Sequence, residues 1–94
     1  MIWDDLFETM LKGIATELKL GFSKTRAGYI LANENKMIGF SYFVDRDGKL
    51  KILMSPNLRG IPVDLGNYTK DDLKAKDSKA RKTIIVKITE EISR

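Results

Sequence analysis

The residues with the most chemistry in them sit in one short run, Asp45-Arg46-Asp47-Gly48-Lys49. Two carboxylates two positions apart, with glycine and lysine behind them, suggest cation binding of two kinds. Alternating acids open a calcium loop, but Gly48 follows at once and no bidentate glutamate closes such a loop here. Asp47-Gly48-Lys49 also matches the acid-x-lysine part of a nuclease strand motif. There, acid and lysine stand on a strand beside a second acid and hold Mg²⁺. Turn chemistry explains the run better. Gly48 takes φ > 0 without a Cβ clash, and Asp-Arg-Asp-Gly suits a type I turn closed by a left-handed glycine.

Other catalytic groups are scarce. The 94 residues include no cysteine and no histidine, which removes thiolate sites, disulfides, imidazole bases and imidazole metal ligands. No glycine-rich phosphate loop occurs, since Gly60 and Gly66 are isolated and no lysine-serine follows them. The expectation is a protein that is not an enzyme and holds no metal or cofactor. Binding chemistry is better represented. Arg46, Lys49 and Lys51 cluster around the turn, and Lys79, Arg81 and Lys82 follow later, with Lys74 and Lys76 nearby. Both groups suit phosphate contact. Phe43 and Leu53 are apolar side chains on the same strand face as Lys51 and suit a protein interface. Trp3 reads as an aromatic platform for a base or, more simply, as a cap on the core beside Phe7.

The elements that must position these residues begin with two hairpins over Ala27–Met54. The turn sets Asp45 opposite Lys49, Val44 opposite Leu50, Tyr42 opposite Ile52 and Phe40 opposite Met54. The last three pairs are apolar and share one face. Tyr29 and Leu31 have the parity to join Phe40 and Ile38 on it. A slip of one residue would bury the lysines, so the register should be firmly held. Residues 4–20 read as an amphipathic helix, with Phe7, Met10, Leu11, Ile14 and Leu18 on one stripe, Asp4 or Asp5 as cap and Gly21 as stop. Phe22–Arg26 reads as a short polar connection.

Beyond Met54, residues 55–69 contain both prolines and two glycines and read as an irregular, functional loop. Leu58, Ile61, Val63, Leu65 and Tyr68 pin it down, and Arg59 is expected to pair with Asp64. Thr69-Lys70-Asp71-Asp72 starts a helix with Thr69 as cap. Residues 70–82 are then either a short, marginal helix or a mobile basic loop. Thr83–Ile88 is β-branched and almost continuously apolar, and reads as a buried fourth strand. Thr89–Ile92 reads as the start of another helix.

The sum is one α+β domain over residues 1–94: an N-terminal helix on an antiparallel sheet, made of a three-stranded meander and a late fourth strand. Hydrophobic content of 43% and charged content of 32% fit a soluble globular chain. No apolar run approaches the ~20 residues that span a bilayer, so no membrane contact and a cytoplasmic location are expected. Net charge is +4 and avoids the first helix, gathering on the hairpins and residues 70–82. That asymmetry suits an anionic partner.

The order of helix, meander, irregular loop and late strand resembles a small bacterial domain of unknown function often labelled "predicted transport protein". The resemblance is carried by Tyr29–Ala32, by Lys49-Leu50-Lys51-Ile52-Leu53, by Pro62-Val63-Asp64-Leu65-Gly66-Asn67-Tyr68 and by Ile84–Ile88. That domain occurs alone or appended to restriction-type nucleases. The resemblance implies a non-catalytic accessory module in a DNA-related or defence setting, with no catalytic residues to carry over. Two functions follow as expectations. One is a nucleic-acid-associated module that contacts phosphates through Arg46, Lys49, Lys51, Lys79, Arg81 and Lys82. The other is a protein-interaction module or phage-encoded regulator that docks through Phe43, Leu53 and an unpaired sheet edge, with homodimerisation by sheet extension as a corollary.

Overall fold

A computed structural model describes residues 2–57, 61–74 and 78–93. Five strands form one antiparallel sheet in chain order: β1 (Gly21–Lys24), β2 (Tyr29–Ala32), β3 (Met37–Val44), β4 (Leu50–Ser55) and β5 (Val63–Tyr68). One helix, α1 (Ile2–Leu18), precedes the sheet, and two, α2 (Lys70–Lys74) and α3 (Lys79–Ile92), follow it. The fold is α+β. No helix among the described residues is long and apolar enough to cross a membrane.

Sheet width explains why two long helices are needed. With strands about 4.8 Å apart, five of them span roughly 20 Å, about twice the spacing of one packed helix. Accordingly, α1 packs over β1 and β2, and α3 reaches β5. Phe7, Leu11 and Ile14 from α1 meet Leu31, Ile38, Leu50, Ile52 and Met54 from the sheet and Ile84 and Ile88 from α3 in one buried cluster. Aromatic contacts tie the α1 side together, with Phe7 edge-on to Tyr29 and beside Tyr42.

The hairpin register is the expected one. Val44 pairs with Leu50, Tyr42 with Ile52 and Phe40 with Met54, while Tyr29 and Leu31 pair with Phe40 and Ile38. Gly48 sits at φ 77°, and its N–H donates to the Asp45 carbonyl at 3.1 Å. The Asn33–Lys36 turn is closed by the Asn33 carboxamide, which accepts from the backbone of Asn35 and Lys36.

Elsewhere the structure corrects the expectations. Helix α1 begins at Ile2, so Asp4 and Asp5 are first-turn acids rather than caps. Its stop is Lys19, not Gly21. Lys19 adopts φ 58°, and bonds from Lys19 N to Thr16 O and from Leu20 N to Ala15 O complete a Schellman end. The polar connection after it is strand β1, held by pairing with β2 and by Phe22 against Tyr29.

Part of the irregular loop, Val63–Tyr68, is strand β5. Pro62 precedes it, where a missing N–H costs nothing, and a bulge in β5 opposite Lys51–Leu53 of β4 absorbs the register change. Leu65 and Tyr68 anchor it, whereas Ile61 is 91% exposed and pins nothing. Leu58 and Arg59 lie outside the described residues. Asp64 pairs with Lys51, Nζ to Oδ2 at 3.0 Å, and the expected Arg59–Asp64 pair falls outside the described residues.

The largest correction concerns Thr83–Ile88, which is helix, not a fourth strand. Across the whole of α3, Ala80, Ile84 and Ile88 are buried at four-residue spacing while Val86 is exposed, the signature of one helix face. Ser78 caps the helix, accepting from Arg81 N at 3.2 Å. Ile84–Ile88, matched to the last strand of the resembled domain, therefore lies in α3.

Candidate functional site

The Asp45 carboxylate of the central turn is occupied by the turn itself and by β5. Asp45 Oδ1 accepts from Asp47 N at 2.9 Å and Lys49 N at 3.0 Å, and Asn67 of β5 donates to Oδ2. The Lys49 backbone donor first, then Asn67 and Asp47, hold the Asp45 carboxyl below its ordinary range. Among the described residues no three acidic side chains converge as a metal site.

The six cations singled out in the sequence divide into two sets. Lys51 is bound to Asp64 and lies over the Phe43 ring at 5.9 Å. Arg81 donates to Glu17 Oε1 at 2.9 Å, and its guanidinium lies against Gly13, joining α3 to α1. Both are structural contacts. Arg46, Lys49, Lys79 and Lys82 have no carboxylate within 4 Å among the described residues. The acidic residues of α1 are largely taken up. Glu8 pairs with Lys12 and Lys24, and Asp4 accepts from the Tyr42 hydroxyl.

One recess gathers cations from different elements. It measures about 450 Å³ and is lined by Trp3 of α1, by Asp47, Gly48 and Lys49 of the β3–β4 turn, and by Thr69, Lys70, Asp71 and Lys74. The Thr69 cap positions the last group. Thr69 N donates to Asp72 Oδ2 at 3.0 Å, and Asp72 N donates back to Thr69 Oγ1 at 3.4 Å. That box fixes where α2 begins and so where Lys70 and Lys74 project. Lys70 Nζ stands 5.6 Å from the centroid of the Trp3 ring. Lys49, Lys70 and Lys74 have no carboxylate within 4 Å among the described residues. Lys79 and Lys82 follow in the first turn of α3. Lys76 lies outside the described residues.

Sequence reasoning reached Lys49 and Lys74 but passed over Lys70, and it placed Trp3 in the core. Trp3 is partly buried against the core and also lines the recess. The capping box at Thr69 was the available signal for Lys70.

The other face of the sheet carries the remaining candidates. Pairing places Ile30, Gly39, Ser41, Leu53, Phe43, Lys51 and Asp64 on the side opposite the helices. Phe43 is 49% exposed there and Leu53 is half-buried. Neither borders a sheet edge, because β3 and β4 are flanked by β2 and β5. The edges belong to β1, four residues long, and to β5, which pairs through a bulge. Short and irregular edges are poor templates for sheet extension, and Phe43 and Leu53 stand on inner strands away from both edges. Compared with protein-family models, curated proteins and solved structures, the chain matches none of them.

Proposed function

We propose that this chain is a non-catalytic, nucleic-acid-associated binding module. Its contact surface runs from the β3–β4 turn across α2 to the start of α3. The observation that carries this reading is the convergence of Lys49, Lys70 and Lys74 on one recess, none with a carboxylate within 4 Å among the described residues. Arg46 in the β3–β4 turn and Lys79 and Lys82 in the first turn of α3 are the further contacts this reading assigns. Lys51 and Arg81 drop out of the contact set, because each already holds an acid. The DNA-related setting implied by the family resemblance agrees with the proposal.

Anisotropy titration of a labelled oligonucleotide at low salt tests it. Binding should weaken linearly on a log–log plot as salt rises, with a slope of roughly −2 to −4 for three to five phosphate contacts. Lys49→Glu and Lys70→Glu should each weaken binding about tenfold, while Lys51→Met should leave it unchanged. Absence of binding at low salt removes the proposal.

A second reading is favoured by the helix-free sheet face with Phe43 and Leu53 at its centre strands. It makes the chain a protein-interaction module that docks by face rather than by edge. Light scattering at rising concentration, with Phe43→Asp as control, tests the homodimer version. A strict monomer rules that version out.

A further inference from the structure

We infer that the recess between the β3–β4 turn and α2 receives one unpaired base of a single-stranded nucleic acid. The base would stack on Trp3, and the flanking phosphates would sit on Lys49, Lys70 and Lys74. This inference rests on the nucleic-acid reading above and names the form of nucleic acid bound. Three observations support it.

The first is the ring. Trp3 is the single tryptophan of the chain and is anchored by partial burial against the core, yet it also lines the recess. Lys70 Nζ lies over that ring at 5.6 Å, so a polar group already occupies the place where a base would stack. Single-strand binders combine aromatic faces on which bases stack with a positively charged groove, because every base has a π-face, and Trp3 with its neighbouring lysines supplies both elements. The second is size. About 450 Å³ falls within the range of small-molecule sites, enough for one base with part of its backbone.

The third is the mixture of charge. Asp47 and Asp71 share the recess with the three lysines. Two carboxylates oppose a continuous duplex backbone, but a carboxylate accepts hydrogen bonds from exocyclic amino groups of bases. In a duplex the faces are hidden by stacking and the Watson–Crick edges by pairing, whereas an unpaired base offers both. Ring, lysines and acids together therefore fit a splayed nucleotide better than a row of phosphates.

The single tryptophan makes the test direct. Its emission is followed while the full chain is titrated with a single-stranded oligonucleotide and, separately, with a duplex of the same length. Anisotropy of labelled versions of both is read in parallel. The expected result is quenching of Trp3 by the single strand and at least tenfold weaker binding of the duplex. Trp3→Phe should keep most of the preference, and Lys70→Ala, which leaves the core untouched, should weaken single-strand binding several-fold. Equal affinity for both forms with unchanged emission would overturn the inference and leave the phosphate-contact reading standing. No binding of either form at low salt would overturn both.

Discussion

Lys19 ends the first helix in the left-handed conformation, at φ 58°. An L-residue there costs about 1 kcal/mol that glycine does not incur. Lys19→Gly should therefore raise stability by roughly 0.5–1 kcal/mol, read as a higher urea midpoint with an unchanged slope. Gly28 shows the opposite sensitivity. At φ 153° a Cβ would come within 2.3 Å of the Phe40 carbonyl oxygen, which is fixed in the ladder. Gly28→Ala should destabilise by about 3 kcal/mol in the same measurement. The surface acids predict the pH profile. Asp45 is held low first by the Lys49 backbone N–H, Asp64 first by that of Gly66, and Glu8 first by Lys12. A depressed folded value contributes stability above the ordinary values of 3.8 and 4.5, and that stability is lost as pH falls through the folded values. The urea midpoint should decline below about pH 4.5, and Asp45→Asn should flatten part of that decline.

At the scale of elements, α3 offers a test whose sign depends on its conformation. Val86 is 53% exposed on the solvent side of the helix. In a helix, Val86→Ala gains roughly 0.5 kcal/mol of propensity; in a strand the same change would cost stability. Thermal denaturation reads the sign, and an increase is expected. Helix α1 is clamped to β3 by the hydroxyl of Tyr42, which donates to Asp4. Burial, then the bond to Asp4, raises the Tyr42 phenol well above its ordinary value of 10. A raised folded value means the clamp is fully present below pH 10 and weakens as pH rises above it. Tyr42→Phe should cost about 1–2 kcal/mol at neutral pH and make the alkaline limb of the profile shallower.

For the whole molecule, one buried cluster joins α1, four strands of the sheet, α2 and α3. With no second core to hold part of the chain independently, unfolding should be two-state, with tertiary and secondary signals lost at one denaturant concentration. Separated transitions would mean that α2 or α3 detaches first. The charge pattern also acts at this scale. Glu8, Glu17 and Asp4 of α1 are engaged by Lys12, Lys24, Arg81 and Tyr42, whereas Lys49, Lys70 and Lys74 have no carboxylate within 4 Å among the described residues.

The sequence alone determined what depends on neighbours in the chain. The Asp45–Gly48 turn, the register of β3 against β4, the inward face of β2 and the Thr69 capping box follow from local chemistry, and the folded chain keeps all of them. Tertiary structure decided the rest. Gly21–Lys24 carries one large apolar side chain and becomes a strand only because β2 offers an edge to pair with. Val63–Tyr68 looks broken by Pro62 and Gly66 until the bulge opposite Lys51–Leu53 absorbs the break. Thr83–Ile88 favours a strand by its β-branched residues, but a five-stranded sheet leaves half of one face uncovered by α1. The Ala80, Ile84 and Ile88 stripe closes that face as a helix, and burial outweighs the modest propensity cost. The recess is of the same kind. Trp3, Lys49 and Lys70 are far apart in the chain, and only the packing of α1, the β3–β4 turn and α2 brings an aromatic face and three lysines to one place.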